Sequence, residues 1–594
     1  MSKSKWAIGI VSVLAVMTLA GCGNSKSAST KTTKPTLPTS YSSKKKAISG
    51  GTLKVAEVNS SAFKGIWDDA LTSNAEDTDV MQFGNEALFK YDKNFKYIKG
   101  GAADLSLNQK AKTATIKINP KVKWSDGKSL VAQDVAYAYK VLANKATQSE
   151  YYTGSIQNIV GIQAYHSGKA KDISGVQIKN KHTVVIHFKQ MKPGMKTSGN
   201  GYIWENAEPY HYIKNISFSK LASSPQVRKH PLFYGPYKMS KVVSGESVEF
   251  TRNKYYYGGT PKLKKITVQV VSADSITAAI KAHKYDLAIG GVPSSQYKKI
   301  KQVSGYTMTG KNALAYDYLG FNLGKYDAKT GKNVMNKNSK MANPSLRKAI
   351  AYAMNIDAVE KKFSNGLGSR LTTLIPPVFS QYHDKSAKGF PLNLKKANAL
   401  LNKAGYKKGK DGYRTDPKGK KLTIHLAEME GNANTQAIVQ NYIQQWKKIG
   451  LRVKLTNGRL LDMNNFYEKV QANSSDIDMF EAAWSLSSEP SPADLFNENA
   501  PYNMGRFVTK ENTKLLNNID SQKAFNTNYR VKAFKKWQEY MNKEAAYVPE
   551  NTVLNWYPVN NRVKNFYLTG NSTVANGLQT NWSKVQVTSN SLSK

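Results

Sequence analysis

Cysteine is nearly absent: the 594-residue chain has one, at position 22. A folded body without thiols excludes disulfides, cysteine-ligated metals, iron–sulfur clusters and a cysteine nucleophile together. Histidine is also scarce, with eight residues scattered and no His-Glu-x-x-His pair, so neither a metal site nor a cofactor is expected. No Gly-x-Ser-x-Gly elbow occurs and spacing places no carboxylate pair, which points away from an enzyme. Gly127-Lys128-Ser129 ends like a phosphate loop, but such a loop needs glycine five residues before Gly127, and that position is Val122. Acidic residues are outnumbered, 41 against 87 Lys plus Arg, for a net charge of +46. The cations are mostly lysines spread singly or in pairs, without a motif for reading bases, so nucleic acid is not an expected partner. An anionic lipid surface or cell wall is the expected counter-charge. A run of about 20 apolar residues, enough to cross a bilayer, is missing too.

The amino terminus carries Lys3 and Lys5, an apolar stretch from Trp6 to Leu19, then Leu19-Ala20-Gly21-Cys22. Charged, apolar and small-residue regions in that order read as a secretory signal over residues 1–21. Leu-Ala-Gly-Cys resembles the lipobox of bacterial lipoproteins, which implies that Cys22 is lipidated and becomes the first mature residue. Residues 22–50 are rich in Ser, Thr, Lys and Pro and lack acidic residues, as in a flexible tether reaching about 30 Å. The implied location is the extracellular face of a bacterial cell membrane.

Periodicity gives the fold class. Leu53, Val55 and Val58 predict a first strand; Ile266 to Val270 alternate as another, Ile276 to Ala282 follow as a helix, and Leu287 to Ile289 as a strand. The pattern repeats: Leu422, Ile424 and Leu426 alternate, Ile438, Tyr442, Trp446 and Ile449 share a helix face, and Leu451, Val453 and Leu455 alternate. Two strand–helix–strand units predict α/β lobes with largely parallel sheets. Asp126-Gly127 predicts a turn before a helix starting at Ala132 to Asp134, and Asn343 and Asn393 predict two helix caps. With 34 Tyr and 9 Trp, rings with polar handles abound, suited to a cleft that grips varied side chains.

The segment from Trp124 through Asp126-Gly127 to Ala132-Gln133-Asp134-Val135 is similar to the signature of extracellular solute-binding proteins serving peptide and nickel ABC importers. Gly235-Pro236-Tyr237, Arg252-Asn253-Lys254-Tyr255-Tyr256, Leu346 to Ala353 and Ala404-Gly405-Tyr406 extend the likeness in order. Gly161 to Val176 resembles the oligopeptide-binding members. The resemblance implies a two-lobed periplasmic-binding-protein-like α/β fold with a hinge and a subdomain inserted in the first lobe. It places the first lobe at 51–85, 216–309 and 554–594, the insertion at 86–215 and the second lobe at 310–553.

It also implies a site and partners. Asn59, Ser60 and Ser61 would form the near wall, and Ala482, Ala483, Trp484, Ser485, Leu486 and Ser487 the far wall. Tyr151, Tyr152, Trp556 and Tyr557 match other cleft-facing stretches. Many peptide-binding relatives carry, three residues after the cleft tryptophan, an aspartate for the peptide's amino terminus; Ser487 stands there, with Glu489 as the substitute. The implied function is a monomeric receptor that binds peptides and delivers them to ABC permease subunits. Alternatives are a receptor for a signalling peptide, haem or a nickel chelate, and a cell-wall adhesin.

Overall fold

The computed structural model describes residues 37–59, 62–72, 74–327, 329–431, 434–568 and 580–594. The signal, Cys22 and the pair Ser60 and Ser61 lie outside the described residues. Two sheets organise the chain. In the first, Thr52–Asn59 is the middle strand, parallel to Lys265–Ser272 on one side and Leu287–Gly290 on the other. The outer strands are Ser247–Arg252 and Tyr237–Val243 beyond one neighbour, and Asn551–Asn560 and Tyr306–Asn312 beyond the other. Leu53, Val55, Ala56 and Val58 are all fully buried, as a strand covered on both faces requires.

The second sheet runs in the order Arg452–Leu455, Thr423–Ala427, Met479–Ser485, Ala315–Phe321, Tyr547–Pro549. Its first three strands are parallel, and the Thr435–Lys448 helix supplies the crossover, burying Val439, Tyr442 and Trp446. This unit matches the sequence pattern. The corresponding unit of the first lobe differs in one respect: its two strands are not neighbours, because Thr52–Asn59 is inserted between them. Both expected caps form, with Asn343 accepting from the Ser345 amide and Asn393 from the Lys396 amide.

Between the first strand and Tyr237 the chain builds a four-stranded antiparallel sheet from Ala103–Asn108, Thr113–Ile118, Thr183–His187 and Val176–Asn180. The Ala132–Ala143 helix packs against it. Its signature segment is structural. Asp134, 2% exposed, accepts from the Trp124 indole at 3.0 Å, the Val131 amide at 2.9 Å and the Tyr210 amide at 3.1 Å. Gly127 takes φ +94° in the turn that brings Trp124 back to Lys128, a conformation that suits glycine.

One expectation fails. The tether cannot extend to residue 50, because Ser40–Tyr41 pairs with Phe566–Tyr567 and the Ile48 amide donates to Val587 at 3.0 Å. Tyr41 and Ile48 pack on the first lobe's core, so two apolar side chains hold down a stretch whose overall composition reads as linker.

Candidate ligand-binding cleft

Strand directions locate the cleft. The chain crosses from the first sheet to the second through Ala313–Leu314 and back through Glu550, and in between Gly368–Arg370 pairs with the start of the Asn551–Asn560 strand. Tyr306–Asn312 is antiparallel to Asn551–Asn560, which is antiparallel to Leu287–Gly290, so Asn312, Asn59, Ser272 and Gly290 all end on the edge where the crossings occur. In the second sheet Ala315 starts beside Ser485, so the carboxyl ends of Met479–Ser485, Thr423–Ala427 and Arg452–Leu455 face the same crossings. Open α/β sheets bind ligands outside the carboxyl ends of their strands, and here both sheets point those ends at one junction.

On the first-lobe side, the Asn59 side-chain Nδ2 donates to Glu57 Oε1 at 3.0 Å. Gly290 has φ +76°, and a Cβ there would lie 2.8 Å from the Val58 carbonyl, so only glycine brings the two strand ends this close. Burial, then the neighbouring Asp79, pushes the Glu57 carboxyl up to about 9. Lys311, held down to about 8 by burial, is drawn the other way by Asp79.

On the second-lobe side, Met479–Ser485 pairs along its whole length with Ala315–Phe321, but Thr423–Ala427 reaches only Met479 and Phe480. From Glu481 onward the other edge of this strand has no strand partner among the described residues. Ala483 and Ser485 are exposed, while Ala482 is buried. Trp484 lies over Tyr318 with ring centroids 6.2 Å apart and an angle of 10° between planes, and meets Tyr502 edge-on at 5.8 Å. Leu486 is half-buried and exposed Ser487 donates to the Glu489 carbonyl at 3.1 Å. An open strand edge beside a fixed aromatic platform can accept an extended chain as an added strand. Next to it is a cavity of about 130 Å³ lined by Tyr316, Leu374, Phe379, Ser487, Asp494 and Phe496.

Several expected residues are placed elsewhere. Glu489 is not free to meet a ligand ammonium: its Oε1 accepts from Arg530 Nη2 at 2.7 Å, and Arg530 also pairs with Asp520 at 3.1 Å. Trp556, 4% exposed, packs edge-on against Tyr297 in the first lobe's core, and Tyr557 is 2% exposed. At this point their strand lies inside the sheet with neighbours on both sides, so these two side chains pack on core and do not line an opening. Tyr152 stacks on His166 at 3.9 Å within the insertion. Tyr151 is 37% exposed; its hydroxyl donates to the Thr72 carbonyl at 3.1 Å and its ring packs on Trp204.

A group that sequence reasoning missed sits where the second sheet's strands diverge. Glu428 follows Ala427, Glu481 follows Phe480, and Glu550 forms the returning crossing. Glu481 lies close enough to Glu428 that its charge adds to the burial that disfavours ionisation of Glu428. Burial pushes Glu481 up to about 7 and raises Glu428 and Glu550 well above the usual carboxylate range, the latter further through Glu481 and Asp317. The only sequence signal was acid inside an apolar context, Phe480-Glu481-Ala482. Among the described residues, no group of three His, Cys, Asp or Glu side chains could hold a metal ion.

Comparison with known proteins agrees with this geometry. The family described as "Bacterial extracellular solute-binding proteins, family 5 Middle" matches residues 96–505. Oligopeptide-binding protein OppA of Lactococcus lactis subsp. lactis is 43% identical over 589 residues, covering 97% of each chain. Oligopeptide-binding protein AppA of Bacillus subtilis (strain 168) is 24% identical over 566 residues, covering 93% of this chain and 95% of that one. The structure of lactococcal OppA complexed with an endogenous peptide in the closed conformation aligns with a TM-score of 0.75 at 43% identity, over 91% of this chain and 100% of that one. With its two-lobed α/β fold and a matched span of most of its length, the chain belongs to family 5 of the bacterial extracellular solute-binding proteins.

Proposed function

We propose that this chain is a receptor that captures oligopeptides between its lobes and delivers them to an ABC permease. One observation carries the reading: the Met479–Ser485 strand offers an unpaired edge from Glu481 onward at the junction of the lobes. Main-chain hydrogen bonds along such an edge are indifferent to sequence, so peptides of many compositions bind while flanking pockets accept their side chains. Kinship with oligopeptide-binding proteins supports the same ligand class. Asn59 contributes to the first-lobe wall and Ala483 to Ser487 to the second-lobe wall.

Anchoring completes the proposal. A thioether-linked lipid on Cys22 keeps a monomeric receptor on the outer face of the membrane, since several acyl chains together hold a protein there almost permanently. The excess of positive charge lies against anionic wall or lipid.

Mass spectrometry of ligands retained through purification tests the central claim. Mixed oligopeptides are expected. A single signalling peptide, haem or a nickel chelate would replace the reading, and wall retention without any peptide binding would favour an adhesin.

A further inference from the structure

Although the cations are spread along the chain, six lysines cluster on one protrusion. Between Tyr406 and Leu422 the chain folds into two successive tight hairpins, closed by bridges between Lys408 and Arg414 and between Thr415 and Lys421. Gly412 and Gly419 turn them, at φ +79° and +81°. Six lysines stand exposed on this protrusion: Lys407, Lys408, Lys410, Lys418, Lys420 and Lys421. None of the six forms an ion pair. The two local acids pair with none of the six lysine side chains. Asp411 pairs with Arg452, and Asp416 Oδ1 accepts from the backbone amides of Lys418 and Lys420 at 2.9 and 2.8 Å.

The protrusion is rigidly held. Arg414, 3% exposed, donates to the Ile449 carbonyl at 2.8 Å, to the side chains of Asn398 and Asn402 at 2.8 Å each, and to the Tyr406 carbonyl. Its own amide donates to Gly450 at 2.7 Å, which ties the hairpins to the end of the Thr435–Lys448 helix. Lys403 and Lys447, exposed at the ends of the two flanking helices, add to the same corner. Like charges gathered on one rigidly held protrusion repel one another, with screening over about 8 Å at physiological salt, and an external anion relieves that repulsion.

We propose that the paired hairpins of residues 407–421 bind a linear polyanion with closely spaced phosphates. This deepens the reading of the basic surface given above and is independent of peptide capture. A polymer fits better than a bilayer, because surfaces that dock on membranes bring aromatic or aliphatic groups to bury, and the hairpin tips offer only Gly, Lys, Asp and Pro. The one ring, Tyr413, is half-buried beneath Arg452 at 4.3 Å. Binding would release counterions and weaken steeply with salt.

The test compares the full mature chain with a variant carrying Lys407→Gln, Lys408→Gln, Lys410→Gln, Lys418→Gln, Lys420→Gln and Lys421→Gln. A control removes six equally exposed lysines elsewhere: Lys110, Lys121, Lys128, Lys169, Lys171 and Lys181, each changed to Gln. Binding to immobilised long-chain inorganic polyphosphate and to phosphatidylglycerol vesicles is measured, with affinity for one peptide as the check on folding and on the central function. The hairpin variant is expected to lose at least about tenfold in polyphosphate affinity and most of the salt dependence, and the control less than about threefold, with peptide affinity intact in both. Equal losses in the two variants would show that diffuse charge suffices and overturn the proposal. So would vesicle binding that depends on the hairpins while polyphosphate binds weakly.

Discussion

Glu489 and Arg530 form an ion pair at 2.7 Å, with the arginine side chain 3% and the glutamate side chain 11% exposed. This pair fixes the loop that follows the open strand edge, and it takes the nearest acid out of contention as an anchor for a ligand ammonium. Ser487 has only a hydroxyl, which cannot neutralise a buried positive charge, and hydrogen bonds to charged groups are the stronger class. Acetylating the amino terminus of a bound peptide is therefore expected to change affinity by less than about tenfold, or 1.4 kcal/mol. A hundredfold loss in titration calorimetry would place an acidic anchor in the cleft after all, and the carboxyls of Glu428 and Glu481 would be the next to vary.

The same pair is expected to matter for stability. Removing one partner of a buried pair leaves an uncompensated charge and costs about 3 kcal/mol. Glu489→Ala should lower the denaturation midpoint accordingly, while a chain that melts like the parent would show that Asp520 alone satisfies Arg530.

The proposed lipidation rests on Cys22, and no other residue could carry the thioether, since the chain has one cysteine. Cys22→Ala should yield a folded protein released from the membrane. Retention of that variant in the membrane fraction at high salt would rule out lipid as the anchor.

Closure around a ligand is expected from the connections between lobes. The chain crosses between the two sheets at Ala313–Leu314 and Glu550, Gly368–Arg370 pairs with Asn551–Val553, and the insertion meets the second lobe through Phe95 on Phe379 and through hydrogen bonds, Ser488 Oγ to the Ser198 carbonyl at 2.8 Å and Gln522 to the Met191 carbonyl at 3.0 Å. Contacts of this size break and re-form in hinge motion, and a peptide touching both walls favours the closed state. Small-angle scattering should show a smaller radius of gyration with a tight peptide than without. An unchanged radius would mean a rigid scaffold.

Stability should depend on pH in an unusual direction. Burial raises Asp317 to about 6, and Glu360 and Glu481 to about 7, above the values near 4 of unfolded carboxyls. Between roughly pH 4.5 and 7 the folded chain therefore holds more protons than the unfolded one, and stability falls as pH rises through that window. The melting temperature is expected to be higher at pH 5.5 than at pH 8, with Glu481→Gln narrowing the gap. A higher melting temperature at pH 8 in the parent would contradict this account of the buried acids.

Local signals were legible without coordinates. The turn at Asp126–Gly127, the caps at Asn343 and Asn393 and the alternating strands depend on neighbours within a few residues, so the sequence contains them entire. Composition, which averages over a stretch, misread residues 37–50, because the apolar packing of Tyr41 and Ile48 and backbone pairing to the 563–568 and 587 segments hold them to the body. Long-range matters were not legible at all. The position of Thr52–Asn59 between two later strands depends on pairings more than 200 residues apart. The length of Thr423–Ala427 decides how much of the Met479–Ser485 edge stays open. Whether Glu489 could receive a ligand depended on Arg530, 41 residues further on. The sequence alone determined the class of fold and the single cysteine that leaves the folded body without thiols, because these are properties of neighbouring residues and of totals. The open edge, the committed acid and the buried tryptophan at 556 were decided only in the tertiary structure, because solvation and pairing belong to surfaces that distant segments create together.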